Sequence, residues 1–385
     1  MTNTIINLKE RIYYLDWLRV SAFGMLILFH SWQPFTNFHW LLKSDKTTIV
    51  ADIFTVFFHT WRLHLIFFVS GFGTWLALLS NGKHFLHDRL LRLIVPFVFG
   101  AIVIAPCQYY YQLLQSGKDI GFMEFMGNYP EFLMSKNLQF DLFQWIIEIG
   151  IHLWYLPYLF IMTLVMLPFL KRIDRKGLSD AFIQKLTHRP RLASLLSLPI
   201  LIFQLLLKPV FPEYTGVADF FVYACFFVYG FILAKENSRL LPVLWKNNNI
   251  LLILGVLSSL LLIGCLLDDQ LRNAAFDPQY NLRHVIVSVP ISLSAFCWTF
   301  YFVSLFSRRC NVKKKIAAEV NRSVLPVYIL HQSIIVVAGF YIIKYIDNGF
   351  LQFALIVVMT LIGSFLAYHV IKKFKATRFL LGMRN

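Results

Sequence analysis

The chain has 385 residues, of which 58% are hydrophobic, 17% aromatic and only 15% charged, whereas soluble domains carry about 25% charged residues, so a soluble globular fold is excluded. Apolar runs of roughly 18 to 25 residues recur along its length, each enough to cross a hydrocarbon layer about 30 Å thick as a helix, and the short alternating segments of a membrane barrel are missing. The formal charge of +16 falls in short loops between these runs, where it orients the chain in the lipid bilayer; it is not read as a nucleic-acid footprint.

Taken in chain order, hydropathy predicts ten spans, at 12–34, 52–80, 90–113, 140–170, 193–207, 217–234, 249–267, 285–306, 323–345 and 350–371. The expected fold is therefore an all-α polytopic membrane bundle forming one domain over residues 1–385. The first run holds Asp16 and Arg19 and lacks a small-residue cleavage site, so it is expected to persist as a span. The fifth is short and bounded by Pro190 and Pro209, which tend to end helices. With alternate loops assigned to opposite sides, 26 Lys and Arg fall with both termini and 8 fall on the other side, which predicts cytoplasmic termini. Cys107, Cys225, Cys265, Cys297 and Cys310 have no paired metal-type spacing and are expected to pack. No metal is predicted, and no repeat or appended domain is visible. The outer loops are rich in Trp, Tyr and Phe, as interfacial belts are.

Ionisable groups inside spans are costly and mark function by default. In the first span Arg19 and His30 are 11 residues apart, which returns to the same helix face about 16.5 Å along the axis. The second span carries His59, Arg62 and His64 and ends at Ser70 and Gly71, a pair suited to close helix approach. In the fourth, Glu148 and His152 have i, i+4 spacing, expected to share one face ahead of Leu153, Trp154 and Tyr155. A carboxylate there could fix the histidine tautomer for proton transfer. His331 lies mid-span in the ninth with no evident partner in its own helix. On the cytoplasmic rim Arg89 and Arg92 are three residues apart and could clamp a phosphate. Histidines suit proton transfer and arginines a polyanion. A Gly-rich phosphate loop, HExxH and GxSxG are missing. Two readings survive: acyl transfer, and proton-coupled secondary transport of an organic anion.

At these residues the sequence resembles the acyltransferase-3 family of integral membrane acyltransferases, and within it the glucan-modifying branch. The similar features are Arg19 and His30 in LDWLRVSAFGMLILFH, RLHLIFFVSGF at 62–72, RLLR at 89–92 followed by Pro96, HLWYL at 152–156 and VYILH at 327–331. The resemblance implies transfer of an acyl group, acetyl or succinyl, from cytoplasmic acyl-CoA to a hydroxyl of a periplasmic or cell-surface glycan. His30 would act as general base or acyl-accepting nucleophile beside Arg19, with His152 and His331 also catalytic. Arg89, Arg92, Arg62 and Ser70 would hold the donor, acetyl-CoA or succinyl-CoA, and Arg62 or a backbone donor would stabilise the oxyanion. Glu148, Trp154 and Tyr155 would line the acceptor side. The implied setting is a bacterial inner membrane, with room for a homodimer. Gln332 stands where some glucan-modifying relatives carry a second histidine.

Overall fold

The structure, a computed structural model, describes residues 12–136 and 141–383. The predicted position of both termini and the first residue of the fourth span lie outside the described residues. Among the described residues the regular structure is helical throughout. The helices are α1 (Tyr13–Trp32), α2 (Ile49–Asn81), α3 (Phe85–Phe99), α4 (Pro106–Gln115), α5 (Phe122–Met134), α6 (Leu142–Gly150) and α7 (Tyr155–Lys176). They continue as α8 (Asp180–His188), α9 (Leu198–Leu207), α10 (Val217–Lys235), α11 (Asn237–Lys246), α12 (Asn248–Leu267) and α13 (Asp269–Phe276). The last four are α14 (Leu282–Arg309), α15 (Lys315–Tyr345), α16 (Gly349–Ile371) and α17 (Lys375–Leu380).

By length and composition 8 segments can cross a membrane, and a sharply bent pair, Asp180–His188 with Ala193–Leu207, raises the number to 9. These correspond to nine of the ten expected spans. The remaining one, α1, is 20 residues long, but Asp16, Arg19 and His30 dilute its apolar character below that of the others. Pro190 supplies the bend of the fifth span by opening a 3-10 turn over Pro190–Ser197.

The chain divides into two compact units. The first comprises residues up to Ala22, Val56–Lys83 and Met162–Ala318. In it α12 runs along α14, and α9 packs on both α10 and α14. The crossing of α2 with α10 is closed by reciprocal glycines: a Cβ on Gly71 would overlap the Phe227 carbonyl, and one on Gly230 would overlap the Phe68 carbonyl. This is the close approach that Gly71 promised. A polar seam threads the same unit, with Thr60 and Ser259 each 3.2 Å from Ser294 Oγ and the Trp298 indole donating to Ser259 at 2.9 Å. Such pairs satisfy hydroxyls that would otherwise be stranded away from water.

The second unit comprises Phe23–Thr55, His84–Ile161 and the residues from Glu319 onward. Two irregularities shape it. After α3, Gly100–Ile104 forms a single π turn followed by Pro106, which loosens the carbonyl ladder locally. After α6, Ile151 sits at φ 50° and starts a 3-10 turn over Ile151–Trp154 before α7. The hydrophobic packing of Phe35, Ala51, Ile335 and Ile356 ties the start of α2 to α15 and α16.

The glycine crossing makes a direct prediction. Gly71→Ala and Gly230→Ala force backbone against backbone, which cannot relax as a flexible side chain would. Thermal unfolding of the purified protein should show each losing at least about 1 to 3 kcal/mol. Gly264→Ala on α12, where a Cβ meets nothing within 4 Å, should unfold at or above the wild-type temperature.

Candidate active site

Within the second unit α1 and α15 bring His30 and His331 together. His331 is fully buried, and its Nδ1 lies 2.7 Å from the Tyr328 carbonyl oxygen of its own helix. A carbonyl can only accept, so Nδ1 carries the proton, and in the neutral ring Nε2 is left as an acceptor. That Nε2 lies 2.8 Å from His30 Nδ1. His30 must therefore donate from Nδ1, which puts its own lone pair on Nε2. The two rings are within 19° of parallel, with their centres 5.0 Å apart. The partner of His331 that sequence could not supply is thus a carbonyl three residues back together with a residue of the first span.

A second layer fixes His152, which is also buried. Its Nε2 donates to the Ile329 carbonyl at 3.0 Å, and its Nδ1 accepts from the Gln108 amide at 3.2 Å. Gln108 also donates to Ser333 Oγ at 2.9 Å and accepts from Gln332 at 3.0 Å. Ser333 donates to the Ile104 carbonyl at 3.2 Å, at the end of the π turn. The Tyr328 hydroxyl donates to the His152 carbonyl. The His152 ring is centred 5.3 Å from that of His331 and nearly perpendicular to it. Both ring nitrogens of His152 are thus engaged by the protein, and it acts as a wall that positions α15. Gln108 has no place in the sequence analysis, its only signal being an amide inside an apolar run, and Tyr328, within VYILH, has no role assigned there.

The expected Glu148 and His152 face does not form. The left-handed turn at Ile151 breaks the helix between them, so the i, i+4 relation fails. Glu148 instead pairs with Lys136 at 2.9 Å and accepts from the Tyr109 hydroxyl at 2.8 Å. The Lys136 ammonium lies 4.3 Å from the Tyr109 ring centre. Nearby Tyr129 is pushed up to about 12, first by burial and then by the Glu148 charge, so its hydroxyl stays protonated.

Arg89 and Arg92 occupy α3 as expected, the former half-buried with its guanidinium 5.6 Å from the Phe85 ring centre, the latter exposed. Arg89 is within electrostatic reach of Tyr155. The Tyr155 ring is 6.1 Å from Tyr328, whose ring is 6.0 Å from His331. A line of buried tyrosines therefore joins the basic end of α3 to the histidine pair. Trp154 is buried against Tyr155 and Tyr158.

Arg19, Arg62 and Ser70 lie in the first unit. Arg19 reaches α2, its Nη2 3.7 Å from where a Cβ on Gly73 would stand. Arg62 is 2% exposed, in electrostatic contact with His59 and Tyr214. Ser70 offers its carbonyl to Thr74 at 2.8 Å. His64 is packed between Tyr223 and Phe226. Among the described residues no group of three His, Cys, Asp or Glu side chains is arranged to hold a metal ion.

The histidine pair, the two arginines on α3 and the apolar helices around them define what is available: a hydrogen-bonded imidazole with its donor and acceptor atoms fixed, and two cations at the end of α3. No curated protein matches the chain, and no solved structure does. The family model described as an acyltransferase domain matches residues 12–369, a stretch that contains both histidines, and the chain belongs to this acyltransferase-3 family of multi-pass membrane proteins.

Proposed function

We propose that the protein is an O-acyltransferase of a bacterial inner membrane that moves an acetyl or succinyl group from cytoplasmic acyl-CoA to a hydroxyl of an extracytoplasmic glycan. The observation that supports this reading most directly is the one-way hydrogen-bond chain from His30 through His331 to the Tyr328 carbonyl. It presents His30 Nε2 as a base whose ring is held from behind, as a general base requires.

In the proposed reaction the acceptor hydroxyl gives its proton to His30 Nε2 while its oxygen attacks the thioester carbonyl. The tetrahedral intermediate then collapses, the carbon–sulfur bond breaks, and the CoA sulfur takes the proton back from His30. His331 receives the Nδ1–H bond of His30 throughout and stabilises the cation that forms transiently. Arg89 and Arg92 hold the donor phosphates through charge-assisted bonds. The thioester arm passes along Tyr155 and Tyr328. In this scheme His152 positions α15 and does not exchange protons with substrate.

The test uses inside-out vesicles supplied with radiolabelled acetyl-CoA or succinyl-CoA and a lumenal glucan extract, following label into glycan and release of CoA. His30→Ala should lower transfer by about 10²- to 10⁴-fold, and His331→Ala by a smaller factor, both with unchanged CoA binding. Turnover at the wild-type rate in His30→Ala overturns the mechanism, and a hydroxylamine-labile acyl group on the protein replaces the base with a nucleophile. Arg89→Gln and Arg92→Gln should each raise the KM for acyl-CoA about tenfold with kcat nearly unchanged, and weaken the salt dependence of KM.

A further inference from the structure

The last described helix, α17, packs on α3, the helix that carries Arg89 and Arg92. We infer that Arg378 of α17 is a further contact for the phosphates of acyl-CoA, so that α3 and α17 together hold the charged head of the donor. The inference rests on the acyl-CoA donor of the proposed function and adds to its binding site a residue from far along the chain.

The short helix is fixed at both ends. Thr377 Oγ1 donates to the Ile371 carbonyl at 2.7 Å, which ties α17 back to the last residue of α16. Beyond its other end the Gly382 N–H donates to the Phe379 carbonyl at 3.1 Å and the Met383 N–H to the Arg378 carbonyl at 2.8 Å, with Gly382 at φ 67°. Glycine is the residue that closes a helix through this left-handed turn without strain. It is also the only residue that fits: an added Cβ would stand 2.6 Å from Leu325 Cδ2, 2.9 Å from Pro96 Cγ and 3.0 Å from the Arg92 carbonyl oxygen. Leu381 beside it is buried. The turn that follows Arg378 by four residues is therefore seated directly on the backbone of Arg92.

The charge of the two helices is one-sided. They carry Arg89, Arg92, Lys375 and Arg378 against one carboxylate, Asp88. On the neighbouring elements Arg322 and Lys372 share a counter-ion in Glu319, at 3.5 and 3.4 Å, and the Tyr368 hydroxyl donates to the same carboxylate at 3.0 Å. Arg89 and Arg378 have none: among the described residues neither guanidinium makes an ion pair or a hydrogen bond. In each, Nε is buried while the terminal nitrogens reach the surface. The stem is held by packing and the terminal N–H groups are open, an arrangement that a phosphate completes through charge-assisted bonds. The CoA head carries a diphosphate and a separate ribose monophosphate, more negative charge than Arg89 and Arg92 match. An anionic lipid headgroup offers the same oxygens, and the choice of lipid in the experiment separates the two sources.

The experiment uses the full-length protein in phosphatidylcholine nanodiscs and measures, by equilibrium dialysis, the Kd of radiolabelled acetyl-CoA and of S-acetylpantetheine, which keeps the thioester arm and has no phosphate. Arg378→Gln should raise the acetyl-CoA Kd about tenfold and leave that of S-acetylpantetheine unchanged. Arg378→Lys, which keeps the charge and loses the planar fork, should fall between. Lys375→Gln, which removes a charge from an exposed position of the same helix, should bind both ligands as the wild type does. Acetyl-CoA affinity unchanged in Arg378→Gln, or lowered as much by Lys375→Gln, overturns the contact while leaving the acyl-CoA reading intact. Equal loss of both ligands in Arg378→Gln makes the residue structural and overturns the contact as well. A loss that is seen only when phosphatidylglycerol is added to the nanodiscs assigns Arg378 to a lipid headgroup instead. A wild type that binds neither ligand overturns the donor reading itself, and the contact with it.

Discussion

Everything in the histidine cluster takes its direction from one acceptor that cannot be anything else, the Tyr328 carbonyl. Because it has lone pairs and no proton, the His331 ring has a single neutral tautomer, and the His30 ring inherits the opposite end of the same chain. Reversing the polarity would place two lone pairs face to face in a buried, low-dielectric site, where an unmade hydrogen bond carries its full desolvation cost. A backbone atom held by a helix thus does what a buried carboxylate does in many proton relays, without putting a charge in the membrane.

The same economy governs the layer behind it. Gln108, Gln332, Ser333 and His152 are neutral and pass hydrogen bonds in one direction: Gln332 donates to Gln108, Gln108 to His152 and Ser333, and these two to the Ile329 and Ile104 carbonyls. An ionised group in this layer would need a counter-ion of its own. Glu148, which does carry charge, is kept outside the layer with Lys136. The π turn supports the arrangement by offering the Ile104 carbonyl to Ser333, a use of loosened helix geometry common near working sites.

Much of this could be read from the sequence, because length and hydropathy fix membrane helices with little help from context. The expected spans coincide with the candidate spans of the structure apart from α1, where Asp16, Arg19 and His30 weaken the signal, and the fifth, which Pro190 bends. His30 and His331 were visible since ionisable groups in apolar runs are expensive. Their contact was not, because it joins the first and ninth spans, and no local pattern encodes that pairing. Glu148 and His152 part for a specific reason: the helix does not continue through Ile151, and a β-branched residue gives no warning of a positive φ. Gln108 is hard to see in the sequence because an amide in an apolar run stands out less than a charge.

The reciprocal glycines of α2 and α10 bear on how the first unit can move. Each backbone is seated in the notch of the other at two levels, Gly71 under Phe227 and Gly230 under Phe68. Shifting either helix by a single residue would bring Ser70 or Phe72, or Tyr229 or Phe231, to the crossing in place of a glycine hydrogen atom. The pair is therefore a latch without play: α2 and α10 travel together as one beam, carrying His59, Arg62 and His64 at fixed heights, and any rearrangement around them must come from neighbours that lack such notches.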